Sequence, residues 1–394
     1  MTTTALITSL SHALNGILDF WADTVTDEEH GGFYGAVSND NQPFPTADKS
    51  AVLNARILWT FSAAYNFTGR EGDLKMAERA FNYFEKHFID KENGGVYWSV
   101  NYLGQPAETR KQLYAIAFAI YACSEYYKAG KDNRALDLAI RLFHTIEQQG
   151  YDNKDDGYFE AFTADWRVPE DFRLSDKDAN EQKTMNTHLH IVEAYTNLYT
   201  AWKSDYLAAQ IRKLLHRFLQ SIIDPDTGHL HLFFNEKWER RSDTISYGHD
   251  IEAAWLLLDS AKQINDPMLV AQYERLALKI ADVTIREAVD KDGGLWYEYR
   301  PASRELVKEK HWWVQAEALV GFINAWQLQK DDKYWQAATD VWQFIDQYLA
   351  DHERGEWYWG RCDDYTFIPE HKVGPWKCPY HNSRACINVM QRLA

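Results

Sequence analysis

The segment KENGGVYWSV, residues 91–100, decides the architecture. It sets a polar turn before two glycines, then an alternation of aromatic and β-prone residues. That order reads as a tight turn followed by a short strand. The pattern returns in EEHGGFYGAV (28–37), NKDDGYFEAF (153–162), PDTGHLHLFF (225–234), KDGGLWYEYR (291–300) and HERGEWYWGR (352–361). The glycines that mark it are Gly32, Gly95, Gly157, Gly228, Gly294 and Gly355, spaced by 63, 62, 71, 66 and 61 residues. Self-similarity at a near-constant spacing along a whole chain is the mark of a repeat architecture.

Between successive glycines the apolar period becomes helical, with room for two helices per interval. Leu113, Ile116, Ala117, Ile120 and Ser124, for example, fall at i, i+3, i+4, i+7 and i+11. The pattern predicts twelve helices, at 3–24, 48–68, 73–89, 110–129, 132–149, 182–202, 204–222, 245–264, 267–288, 309–328, 332–350 and 379–392. They alternate in character. The helix before a glycine turn is amphipathic, as in SDYLAAQIRKLLHRFLQ (204–220), and the helix after it is apolar on more sides, as in YAIAFAIYAC (114–123). An all-round apolar helix is buried and an amphipathic one lies outside. Six inner and six outer helices in strict alternation close into an all-α (α/α)6 barrel with short glycine-turn hairpins between helix pairs. No Pro-, Gly- or Ser-rich linker interrupts the array, so residues 1–394 are expected to form a single domain.

Composition narrows the function. The chain is 45% hydrophobic and 25% charged, which supplies a large core and excludes disorder as a whole-chain description. Aromatic residues make up 15%, with 16 Trp, so either the core is aromatic or a surface is built to stack on flat ligands. The net charge of −16 disfavours nucleic acid and anionic membranes, which need clustered Lys and Arg. No apolar run approaches the roughly 20 residues of a membrane span. The N-terminus lacks the basic and apolar regions of a signal peptide. Cys123, Cys362, Cys378 and Cys386 form no C-x-x-C pair and no disulfide framework. A reduced, cytoplasmic enzyme is expected, and nothing in the sequence demands more than a monomer.

The predicted inner helices carry their polar residues near their N-terminal ends: Arg56, then Gln112 and Tyr114, Asn186 with His188 and His190, His249 with Glu252 and Trp255, Trp312 and Trp313 with Glu317, and last Trp376 and His381. In this topology those ends share one rim, so the residues converge on one funnel. Residues three and four apart share a helix face. Asn186 and His190 therefore face the funnel together while His188 points elsewhere. His249, Glu252 and Trp255 form one stripe, and Trp313 and Glu317 another. A lone helical histidine is more often a satisfied core residue. Six polar helix starts together argue for a site.

No metal or nucleotide motif is present: there is no H-E-x-x-H, no cysteine cluster, no EF-hand loop and no phosphate-binding glycine loop. The H-x-H pair at His188 and His190 suits a strand better than a helix. The equally spaced pair His229 and His231 lies in a glycine-turn segment and could chelate, but no third ligand spacing supports it. The expectation is an enzyme without metal or cofactor. Histidine, arginine, acids and tryptophans in one funnel fit a carbohydrate, with apolar C–H faces for indole and hydroxyls for the polar groups. Histidine is a general acid/base suited to neutral pH. Ser246 is expected to cap the helix that bears His249, whose dipole would keep the ring neutral and hence a base.

These residues sit in recognisable surroundings: NARILWTFSAAY (54–65), KTMNTHLHIVEAYTNLY (183–199), SYGHDIEAAWLL (246–257), KHWWVQAEALVGF (310–322) and GPWKCPYHNSRACIN (374–388). Through them the chain resembles the N-acylglucosamine 2-epimerase superfamily, and within it the cellobiose 2-epimerase branch. The last segment is the most specific. The resemblance runs over essentially the whole chain and implies an (α/α)6 barrel. It also implies cofactor-free epimerisation at C2 of the reducing-end glucose of a β-1,4-linked disaccharide such as cellobiose, lactose or mannobiose. By the same resemblance His249 and His381 are the acid/base pair acting through an enediolate. His190 and Glu252 support ring opening, and Arg56 holds the oxygen that gains charge. Tyr114, Asn186, Trp313, Glu317, Trp376 and Trp255 belong to the sugar site.

Three other readings compete. An aldose–ketose isomerase of the same superfamily shares the enediolate but returns the proton to C1. A glycoside hydrolase on the same toroid needs two carboxylates flanking the scissile bond, for which Glu252 and Glu317 are available, but it leaves the histidines unexplained. A non-enzymatic sugar-binding module or scaffold has no use for His and Arg at inner helix starts.

Overall fold

The computed structural model describes residues 1–394 throughout. Twelve α-helices follow in order: α1 Thr3–Asp23, α2 Ala51–Thr68, α3 Glu71–His87, α4 Leu113–Gly130, α5 Asn133–Thr145, α6 Met185–Ala201, α7 Asp205–Arg217, α8 Tyr247–Gln263, α9 Pro267–Glu287, α10 Trp312–Gln329, α11 Asp332–Phe344 and α12 Tyr380–Leu393. The last turns of α5, α7 and α11 widen into π-helix at Ile146–Gly150, Phe218–Ile222 and Ile345–Leu349.

Burial separates the two layers as the hydrophobic pattern requires. Every residue of α2 from Ala51 to Ala64 is buried, whereas α3 buries only the Ala77, Ala80, Phe81 and Phe84 side of its surface with Asp73 and Tyr83. The even-numbered helices form the inner ring. Each packs on the next, α2 on α4, α4 on α6, α6 on α8, α8 on α10, α10 on α12, and α12 returns to α2. The barrel is therefore closed. One continuous cluster of buried hydrophobics runs from Leu6 to Met390.

Each outer helix leads into a hairpin and each hairpin into an inner helix. The six hairpins are closed by the bridges Thr26–Phe33, Ile89–Val96, Tyr151–Tyr158, Ile223–Leu230, Val289–Leu295 and Ala350–Trp357. The turns need glycine for its left-handed backbone: Gly95 has φ of 73° and Gly157 84°. In the fifth hairpin the left-handed residue is Gly293, at φ 85°, rather than Gly294.

A second repeat overlies the first, and the glycine pattern did not disclose it. An aspartate opens each turn, and in five of six its side chain accepts from the backbone N–H groups two and three residues on, as Asp90 does from Glu92 and Asn93. The other carboxylate oxygen holds a buried lysine: Asp27–Lys49, Asp90–Lys111, Asp152–Lys183, Asp290–Lys310 and Asp351–Lys372, all at 2.6–2.7 Å. The first three of these lysines and Lys310 stand two residues before an inner helix, so each pair pins a hairpin to a helix start. The fourth hairpin has Ile245 at that place. There His229 links Asp250 of α8 at 2.7 Å and Glu287 of α9 at 3.1 Å. The sequence left His229 open as a metal ligand; both of its ring nitrogens are engaged by carboxylates. Burial depresses the ring, but Asp250 and Glu287 outweigh it and raise its pKa.

Candidate active site

The parallel inner helices bring their N-terminal ends to one side of the ring. A funnel of about 400 Å³ opens there, within the size range of small-ligand sites. Its walls hold Arg56 from α2, Tyr114 from α4, Asn186 and His190 from α6, His249 and Glu252 from α8, Trp312 and Trp313 from α10, and His381 from α12, with Trp376 from the preceding loop. Nine of the eleven expected site residues thus meet. Glu317 and Trp255 do not reach the funnel. They lie beneath it, where Trp255 donates its indole N–H to Glu317 at 3.2 Å. Their helix stripes were read correctly, but the stripes run down from the rim. A residue one further turn from the N-terminus falls below the floor.

The three histidines expected in the site, His190, His249 and His381, face the funnel, and each has one ring nitrogen tied down. Nδ1 of His381 meets Glu317 at 2.6 Å, Nδ1 of His190 meets Glu193 at 2.9 Å, and Nδ1 of His249 meets the Ser246 hydroxyl at 2.8 Å. The last contact corrects an expectation: Ser246 occupies the N-cap of α8 but makes no cap hydrogen bond, because its hydroxyl orients His249. His188 points away as expected, accepting the N–H of Tyr158 on Nε2. Fixing one nitrogen fixes the ring and leaves Nε2 for a ligand.

Trp313 stands between two of these histidines. Its ring lies 4.8 Å from that of His249 and 5.7 Å from that of His381. Such closeness requires Gly248, where a Cβ would come within 2.5 Å of the indole. Of the two adjacent tryptophans, Trp313 is the one expected in the sugar site. Trp312 is 2% exposed and packs on Trp359, while Trp313 is the more open of the two.

Burial keeps the pair neutral. It pulls His249 down to about 3, with His190 adding repulsion. His381 falls well below its ordinary value through burial and the repulsion of Arg56 and Arg384. Both are bases at neutral pH. Glu317 on the far nitrogen of His381 is placed to stabilise the imidazolium once a proton arrives, the logic of any carboxylate–histidine dyad.

Arg56 is buried, donates to the Tyr114 hydroxyl at 2.7 Å, and lies over the Phe118 ring at 4.2 Å. Its Nε, Asn186 Oδ1 and Trp312 Nε1 are buried without a protein partner. Unpaired polar atoms in one funnel define the complement of a polar ligand.

The floor is built round Arg384, which lies in the GPWKCPYHNSRACIN segment but is not among the expected site residues. Its guanidinium holds Glu193, Glu252 at 2.5 Å and Glu317 at 2.6 Å. The signal was available: Arg384 lies three residues after His381, on the same helix face. Glu252, Glu317 and His381 bring ligand atoms within 4.8 Å of one another, a donor set that also suits a divalent cation. The guanidinium already supplies the positive charge between these two carboxylates. It does not neutralise them all. Burial and the neighbouring Glu317 raise Glu252 to about 7. The sequence also missed Tyr297 and His311, stacked at 4.0 Å on the funnel wall, and the rim segment from Leu174 to Asp178.

An α/α ring with neutral histidines, two buried arginines and a tryptophan at its mouth is the frame of an acid/base enzyme acting on a small polar substrate. The chain belongs to the N-acylglucosamine 2-epimerase family, whose model matches residues 32–385. It is 48% identical to a cellobiose 2-epimerase of Bacteroides fragilis, with 95% of each chain covered. It is 41% identical to a cellobiose 2-epimerase of Dictyoglomus turgidum, with 97% of each covered. The solved structure of a cellobiose 2-epimerase from Bacillus thermoamylovorans superposes with a TM-score of 0.94 at 38% identity, covering 99% of this chain and 100% of that one.

Proposed function

We propose that this protein is a cellobiose 2-epimerase, which inverts C2 of the reducing-end sugar of a β-1,4-linked disaccharide and interconverts glucose and mannose there. The observation that carries the mechanism is the pair His249 and His381. Both are neutral and oriented through Nδ1, and both lie against Trp313. Opening of the ring to the aldehyde makes the C2 proton acidic. One histidine removes it through Nε2 and gives a planar enediolate. The other returns a proton to C2 from the opposite face, and in the reverse direction the roles exchange. No electron acceptor is consumed.

The remaining groups serve the same step. Arg56 places a fixed cation beside the oxygen on which charge develops, where preorganised charge lowers the barrier most. Glu252, poised near 7, and His190 pass the protons of ring opening. Asn186, Tyr114 and Trp376 hold hydroxyls and ring faces. Glu317 acts through His381, and Trp255 acts through Glu317. A hydrolase reading loses its carboxylate pair, because Glu317 lies beneath the funnel. The ring works as one catalytic domain. All four cysteines are unpaired, which suits the reducing cytoplasm. No helix is long and apolar enough to cross a membrane.

Incubation with cellobiose in the presence of a chelator tests the proposal. A glucosyl-mannose product is expected. Free glucose would point to hydrolysis, and a glucosyl-fructose product alone to ketose isomerisation.

A further inference from the structure

A second cavity, of about 180 Å³, lies beneath the floor of the funnel and opens at the C-terminal ends of the inner helices. Trp59, Tyr121, Glu193, Thr200, Asp259 and Arg384 are among its walls. Two donors in those walls have no partner in the protein: Nε1 of Trp59 and Nε of Arg384, on side chains of residues only 6% and 3% exposed. Buried donors in folded proteins find an acceptor, and in a polar cavity with room for it that acceptor is water. Asp259 adds an acceptor; one of its oxygens is held by Arg392 at 2.5 Å and the other has no protein partner.

Glu193 belongs to both sides of the floor. It lines the rear cavity, and its Oε2 holds Nδ1 of His190, whose ring faces the funnel. A sugar seated in the funnel stoppers the front. Ring opening and inversion at C2 move protons among groups sealed beneath it.

We propose that the rear cavity is a water site, and that its water exchanges protons with the funnel through Glu193 and His190 while a sugar is bound. Nε2 of His190 accepts a proton from the sugar side. The proton on Nδ1 passes to Oε2 of Glu193, and Glu193 releases it to a rear water. One proton enters the ring as another leaves, and the reverse sequence carries one inward. Burial raises the Glu193 carboxyl, but Arg384 and His190 outweigh it and hold it near 2, so Glu193 hands the proton on rather than storing it. The proposal rests on the epimerase reading of the funnel.

A high-resolution crystal structure of the unliganded protein is expected to show ordered water within hydrogen-bond reach of both Trp59 Nε1 and Arg384 Nε. A dry cavity overturns the proposal whatever the protein does to sugars. Thr200→Trp closes the mouth from an exposed position. It is expected to lower kcat at saturating cellobiose about fivefold and to leave kcat/KM within about twofold, with Thr200→Ala behaving as the parent. An undiminished kcat in Thr200→Trp, with the mouth closed in its crystal structure, overturns the proton route. Rear water in a protein inactive on every disaccharide leaves the water site standing and contradicts the proposed function instead.

Discussion

The protein buries charge in two places, in opposite ways. At five of the six hairpins the turn aspartate meets a lysine, and four of these pairs are one to one; in the fifth hairpin Lys310 holds Asp292 as well as Asp290. In the floor one guanidinium meets three carboxylates, and the set is unbalanced. In the one-to-one pairs the aspartate is held ionised: burial raises Asp90, but Lys111 and two backbone N–H groups outweigh it and hold it down to about 2, while burial lowers Lys111. The unbalanced set leaves Glu252 near 7. A one-to-one pair fixes geometry and nothing else. A deficit of positive charge leaves a proton free to move near neutral pH, which is what acid/base chemistry needs.

The sharpest way to break this contrast is at the histidines. His249→Ala and His381→Ala are each expected to lose at least about 100-fold in kcat on cellobiose, the low end for removal of a general acid or base, with an unchanged helical circular dichroism spectrum. Epimerisation at the parent rate in either variant would remove the assigned roles.

Arg384→Met should come next, because it strands three buried carboxylates. Breaking a buried ionic set by removing one partner costs about 3–5 kcal/mol. Stability by denaturant and activity should both fall. If the floor is chemistry rather than scaffold, Arg384→Lys will recover most of the stability and little of the activity.

Lys111→Met removes the cation from one hairpin pair and is expected to cost about the same 3–5 kcal/mol. Here the folded fraction should keep its kcat. Loss of kcat without loss of stability would erase the distinction between the two regions.

The smallest effect is in pH, and its sign differs between the regions. Asp90 is depressed, so its stabilisation is present above pH 3.8 and is lost as pH falls toward about 2. Glu252 is raised from 4.5 to about 7, so ionising it costs stability, and that cost builds between those values. Thermal unfolding should show Glu252→Gln gaining Tm relative to the parent from pH 5 to pH 8. A constant difference would mean that Glu252 is not perturbed.

The fold was legible because repetition is visible to the eye. Six glycine turns and alternating helix character gave the ring, and the helix limits agree with the structure to within a few residues. The funnel was legible for the same reason, since helix starts in a parallel ring must meet. Depth was not legible. Sequence spacing placed Trp255 and Glu317 on the right stripe but could not say that the floor lies between Glu252 and Trp255. Nor could it pair Asp90 with Lys111 or gather Glu193, Glu252 and Glu317 round Arg384. Those contacts join residues distant in sequence, and nothing local marks them. Ser246 shows a third limit: a hydroxyl with two uses takes the one that folding brings nearer.

The most direct test of the central claim is the isotope content of the product formed from cellobiose in D2O. Proton transfer through His249 and His381 predicts glucosyl-mannose carrying deuterium at C2 from the first turnovers. Glucosyl-mannose that retains the original C2 hydrogen would contradict the two-histidine account.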